Sequence, residues 1–151
     1  MIHMLTWLTK KRLPCILALG IAAAAPAYPL DLFTVSGECQ VTGRGLLCVF
    51  LVDERSFSVP MSGIQAVTTM LDASGPKTRR VAFAFTVPQG TYGIRCFLDM
   101  NGNGGLDRGL FGPMEPWGMS WRVRRPAGFP RFADISFAVA GDVTCPVMIV
   151  E

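Results

Sequence analysis

Oxygen-bearing side chains crowd into one short segment of this 151-residue chain. Asp99, Asn101, Asn103 and Asp107 stand at relative positions 1, 3, 5 and 9, with Gly104 at position 6. Such spacing can wrap backbone around a hard cation, and glycine permits the sharp turn. Calcium takes roughly six to eight oxygens. Asp99, Asn101, Asn103, Asp107 and the backbone carbonyl of Gly105 would supply most of them. Position 12 is Leu110, so the bidentate glutamate of an EF-hand is missing. With two charged ligands the affinity would be weak, suited to extracellular calcium. The same residues also suit a metal-free turn, in which Asn and Asp side chains bond their own backbone and Asn-Gly takes positive φ. Both arrangements stay open at this point.

A second candidate set lies downstream. Trp117, Trp121, Arg122, Arg124 and Arg125 interleave aromatic and cationic side chains, followed by Phe129 and Arg131. Stacking plus charge would suit an anionic glycan or phosphate. The plainer alternative is a solvated loop whose arginines pair with Asp107, Glu115 and Asp134. Catalytic readings fare worse. Asp99 and Asp107 could form an acid–base pair, but their spacing with the two asparagines fits cation coordination better. Ser120 lacks a base, and the cysteines lack a histidine partner. The expectation is a protein that is not an enzyme.

The N-terminus explains several counts. Residues 1–27 carry Lys10, Lys11 and Arg12, then an Ala/Leu-rich apolar run, then Ala25-Pro26-Ala27. This is the layout of a cleaved secretory signal, and the run is short for a membrane span. Cleavage would leave residues 28–151 as a single domain. The three cations leave with the signal, so 11 of the 14 basic residues face 11 acidic ones and the formal charge of +3 falls to zero. A neutral domain gives no support to nucleic-acid binding. The chain's one histidine, His3, leaves too. That excludes Ser-His-Asp and Cys-His catalysis and histidine-bound zinc. Of five cysteines, Cys39, Cys48, Cys96 and Cys145 remain. An even count in an exported domain suggests disulfides, with three connectivities open.

Short strands must position these groups. Val81, Phe83, Phe85 and Val87 alternate with Ala82, Ala84 and Thr86, the mark of a half-buried strand. Residues 46–52 are continuously apolar, as in a central strand covered on both faces. Residues 32–39 read as the first strand, and 62–71 as a strand rather than a helix. The turn Val87-Pro88-Gln89-Gly90 predicts a hairpin joining 81–87 to 91–98. Gly141-Asp142 predicts a second hairpin, between 135–139 and 143–150, with Pro146 marking an edge or a bulge. Residues 101–131 read as one long, packed, irregular loop. The expected fold is all-β: an antiparallel β-sandwich of about seven strands.

The run Gly90-Thr91-Tyr92, then Phe97-Leu98-Asp99-Met100-Asn101-Gly102-Asn103-Gly104-Gly105-Leu106-Asp107, resembles the bacterial exported family called domain of unknown function 2141. The resemblance continues through Phe111-Gly112-Pro113, Glu115-Pro116-Trp117-Gly118-Met119-Ser120 and Phe132, Asp134 and Phe137. It implies an exported β-sandwich of prealbumin or immunoglobulin-like type, with no established activity. Family members usually carry histidine before the loop aspartate; Leu98 stands there instead.

The sequence therefore leads to a periplasmic or secreted, non-catalytic module, with calcium as its candidate cofactor. The partner classes in view are an envelope glycan, bound through the tryptophans and arginines, or another envelope protein. A structural subunit of an envelope assembly is the further alternative.

Overall fold

The computed structural model describes residues 31–72, 78–120, 130–145 and 147–149. In chain order the elements are β1 (Leu32–Thr42), β2 (Gly45–Val52), α1 (Glu54–Phe57), β3 (Gln65–Leu71), β4 (Thr78–Pro88) and β5 (Gly90–Asp99). They continue with β6 (Arg108–Gly109), β7 (Gly112–Pro113), β8 (Trp117–Met119), α2 (Phe132–Ile135), β9 (Phe137–Val139), β10 (Val143–Thr144) and β11 (Val147–Met148). Residues 1–27, which the sequence reads as a secretory signal, lie outside the described residues.

Two sheets share the core. One sets β4 antiparallel to β1, with β10 and β11 along the other edge of β1. The second runs β3-β2-β5-β8, with β9 paired to the first residues of β5. Alternation sends Val35, Cys39 and Val41 of β1 and Phe83, Phe85 and Val87 of β4 inward. They meet Leu47, Val49 and Leu51 of β2 and Tyr92, Ile94, Cys96 and Leu98 of β5. Each such side chain contributes roughly 1.5–3 kcal/mol by leaving water. The expected all-β sandwich is what forms.

Strand β2 is covered on both faces, as its apolar run requires. Its outer face stacks Phe50 on Phe97, with ring centroids 6.1 Å apart. Residues 65–71 are a strand, as expected.

The connections differ from expectation in three places. β4 and β5 do not form a hairpin: β4 pairs with β1, and β5 with β2, β8 and β9. The Pro88–Gly90 turn instead carries the chain across the core, and the Tyr92 hydroxyl donates to the Pro88 carbonyl at 3.0 Å. Likewise Gly141-Asp142 is a crossing between sheets. β9 stays with β5, while β10 runs parallel to β1. Asp142 secures the crossing by accepting the Thr34 N–H at 2.8 Å. In both cases two inward-facing apolar strands close over one another, which buries more than a flat hairpin would.

The third difference is the long loop. Among its described residues it contains the two-residue strands β6 and β7 and the edge strand β8. Strands this short leave no periodicity to read.

Gly37 has a packing reason. A Cβ there would lie 1.9 Å from the Cys145 carbonyl oxygen and 2.5 Å from the Phe83 ring. Its absence lets the C-terminal strands close on β1.

Candidate functional site

The acid–amide loop starts where β5 ends. Leu98 faces the core, so alternation turns Asp99 to the outer face of the sheet. The loop then folds back over that face and buries Asp99 almost completely, at 1% exposure. Its carboxylate is taken up by the loop's own backbone. Oδ1 accepts the Gly102 N–H at 2.7 Å and Oδ2 the Gly104 N–H at 2.8 Å. Gly102 and Gly104 hold φ of +75° and +80°, the left-handed conformation that turns both N–H groups inward.

The asparagines form successive Asx turns. Asn101 Oδ1 accepts the Asn103 N–H at 3.0 Å, and Asn103 Oδ1 accepts the Gly105 N–H at 2.8 Å. Their amide nitrogens both donate to Asp107, from Asn101 at 2.7 Å and from Asn103 at 2.8 Å. Gly105 thus contributes its N–H here. All five residues named for a cation come together in one loop, joined by these hydrogen bonds. Among the described residues no three His, Cys, Asp or Glu side chains form a metal-holding group.

Glu115, expected from the sequence only as a partner for the arginines, instead closes the loop. It is buried, and its two oxygens accept the Met100 N–H at 2.8 Å and the Asp107 N–H at 3.1 Å. One carboxylate therefore ties both ends of the loop together. The available signal was an acidic residue inside the apolar run Met114-Glu115-Pro116-Trp117. Beneath the site lies Cys48. Burial pushes its thiol up, and the negative charges of Asp99 and Glu115 push it further.

Beyond Asp107 the chain projects as the β6–β7 hairpin. Arg108 pairs with Pro113 and Gly109 with Gly112, leaving Leu110-Phe111 as the tip. The Met114 N–H donates to the Asp107 carbonyl at 2.8 Å, joining hairpin base to loop. Leu110 is 98% and Phe111 104% exposed. Beside them runs a groove of about 480 Å³, lined by Leu106, Arg108, Phe111, Trp117, Met119 and Pro130 among others.

Trp117 sits half-buried in β8, opposite Phe97. Trp121, Arg122, Arg124 and Arg125 lie outside the described residues. Arg131 pairs with Asp134 at 3.2 Å, as the plainer reading of the arginines expects.

Arg95 was not singled out from the sequence. It lies on the same outer face as Asp99, with its guanidinium 5.8 Å from the Phe50 ring centre. It donates to the carbonyls of Phe57, Val59 and Ser62, pinning the segment between β2 and β3. Burial lowers its pKa, and the charge of Arg108 adds to the effect.

The family described as "Uncharacterized protein conserved in bacteria (DUF2141)" is matched by residues 34–145. The chain belongs to this family. The matched span contains the whole Asp99–Asp107 loop, Glu115, the hairpin and every strand but β11, with β1 entering it at Thr34. No curated protein and no solved structure matches the chain.

Proposed function

We propose that this DUF2141 protein is an exported, non-catalytic binding module of the bacterial envelope, making contact through the β6–β7 hairpin. The observation that carries the reading is the tip itself. Two adjacent large apolar side chains stand fully in water on a hairpin whose base is tied down by Glu115 and Asp107. Apolar side chains displayed together in this way mark an interaction site. Holding them on a braced loop lowers the ordering cost of binding. Export rests on the signal-like residues 1–27, which also supply the oxidising compartment suggested by the cysteine count.

Calcium enters this proposal as a brace of the same loop. The amide nitrogens of Asn101 and Asn103 stand where a cation would sit against Asp107. Turning both amides would present their oxygens instead, at the cost of two Asx bonds. Millimolar calcium is expected to raise Tm and to give a calorimetric binding isotherm. No heat and no change in Tm would remove calcium from the account.

A glycan ligand is the second reading, favoured by Trp117, Phe111 and Arg108 lining one groove. The test is co-sedimentation of the full chain with peptidoglycan sacculi and, separately, with envelope membranes. Binding to sacculi supports the glycan reading, and binding to membranes alone supports an envelope protein or lipid partner. Failure to sediment with either contradicts the proposal.

A further inference from the structure

Cys39 and Cys96 enter the core from opposite sheets. Cys39 lies across β1 from Val81 of β4, and Cys96 lies across β5 from Val49 of β2. Both are buried, at 0% and 3% exposure, in the one core cluster. The Cys39 side chain is the group that acts most strongly on the Cys96 thiol, and the two sulfurs stand farther apart than a bonded pair. The other two cysteines are placed differently. Cys48 lies between the inward Leu47 and Val49, so it projects from the opposite face of its sheet, with its thiol 3.8 Å from the Leu46 carbonyl. Cys145 is only half-buried, and burial raises its thiol's pKa more than the Ser120 side chain lowers it.

We infer that Cys39 and Cys96 become joined in an inter-sheet disulfide when the chain folds in an oxidising medium. The four cysteines among the described residues are unbridged in the structure. The oxidant is an external disulfide, such as glutathione disulfide or a disulfide-donating protein. One cysteine thiolate attacks a sulfur of that disulfide, forms a mixed disulfide and expels one thiolate. The second cysteine thiolate then attacks the cysteine sulfur of the mixed disulfide and expels the other thiolate. Two electrons pass from the cysteines to the oxidant, and the two thiol protons end on the expelled thiolates.

The timing follows from burial. In the closed fold neither thiol reaches solvent, and the Cys96 thiol is held well above its ordinary value by its contact with Cys39 and by burial. Exchange must therefore precede closure of the sandwich. Once made, the bond is sealed from reductant by the same burial. The two positions are 57 residues apart, so the bond closes a long loop of the unfolded chain.

The test refolds the full chain from denaturant in a glutathione redox buffer and, in parallel, in dithiothreitol. Free thiols are then trapped with N-ethylmaleimide, and the non-reduced digest is mapped by mass spectrometry. The expected result is a Cys39–Cys96 cross-linked peptide with Cys15, Cys48 and Cys145 alkylated. The oxidised form should melt roughly 10 °C above the reduced one. The Cys48→Ala/Cys145→Ala variant should keep that difference, which guards against a Cys39 or Cys96 variant that fails to fold. Another dominant pairing, or all five thiols of the full chain alkylated after oxidative refolding, overturns the inference. The oxidising compartment rests on the export reading, whereas the pairing does not. A chain that forms the bond in the refolding buffer, yet is recovered reduced from cells, contradicts export and leaves the pairing standing.

Discussion

Glu115 shows what a buried carboxylate contributes when the backbone supplies its partners. It accepts two N–H groups from opposite ends of the Asp99–Asp107 loop. Truncating it strands both donors in a closed site, and hydrogen bonds to charged groups are the costlier ones to lose. Glu115→Ala should lower stability by about 2–3 kcal/mol in urea denaturation. Glu115→Gln, which keeps one oxygen acceptor, should cost less. Equal stability of wild type and Glu115→Ala would show that the loop holds itself. The Asp99 loop was readable in advance because all its partners lie within a few residues. The role of Glu115 was not, because it depends on the chain folding back across the outer face of β5.

At the scale of elements, Arg95 and Asp53 hold the connection between β2 and β3. Arg95 spreads its fork over several carbonyls of that segment, which a lysine's single ammonium cannot copy. Arg95→Lys should cost about 1–2 kcal/mol in the same denaturation assay, and an unchanged midpoint would refute that role. Asp53 caps α1. Its carboxylate accepts the Ser56 hydroxyl and N–H, and those bonds hold its pKa below the ordinary value. A depressed carboxylate stabilises the fold above its unfolded pKa and loses that effect as pH falls through its folded one. Asp53→Asn should therefore melt below wild type at pH 6, and the gap should close on acidification below about pH 4. A gap that persists or widens in acid would exclude the carboxylate charge as its source. Strand identity at this scale was largely legible: alternation marked β4, and the apolar run marked β2. Strand pairing was not. The turns at Pro88–Gly90 and Gly141-Asp142 read as hairpins because turn residues report chain reversal, not which sheet receives the next strand.

Over the whole molecule, two sheets bury one core, and the surplus apolar surface is displayed at one hairpin. Met114 at 74% and Met100 at 53% exposure extend the patch of Leu110 and Phe111 toward the loop. A sandwich of this kind leaves its connections free to carry function while the sheets carry stability. The tip was invisible as a site in the sequence, where residues 108–113 read as part of an irregular loop. Only the pairing of Arg108 with Pro113 and Gly109 with Gly112 sets Leu110 and Phe111 at a projecting end.

The most direct measurement is therefore made on the tip. The full-length Leu110→Ser/Phe111→Ser variant is compared with wild type for co-sedimentation with sacculi and envelope membranes, with Tm measured on both. Neither side chain contributes burial, so Tm should move by no more than about 2 °C. Binding to whichever fraction retains the wild type should fall at least tenfold. Undiminished binding by a well-folded double variant would contradict the central claim.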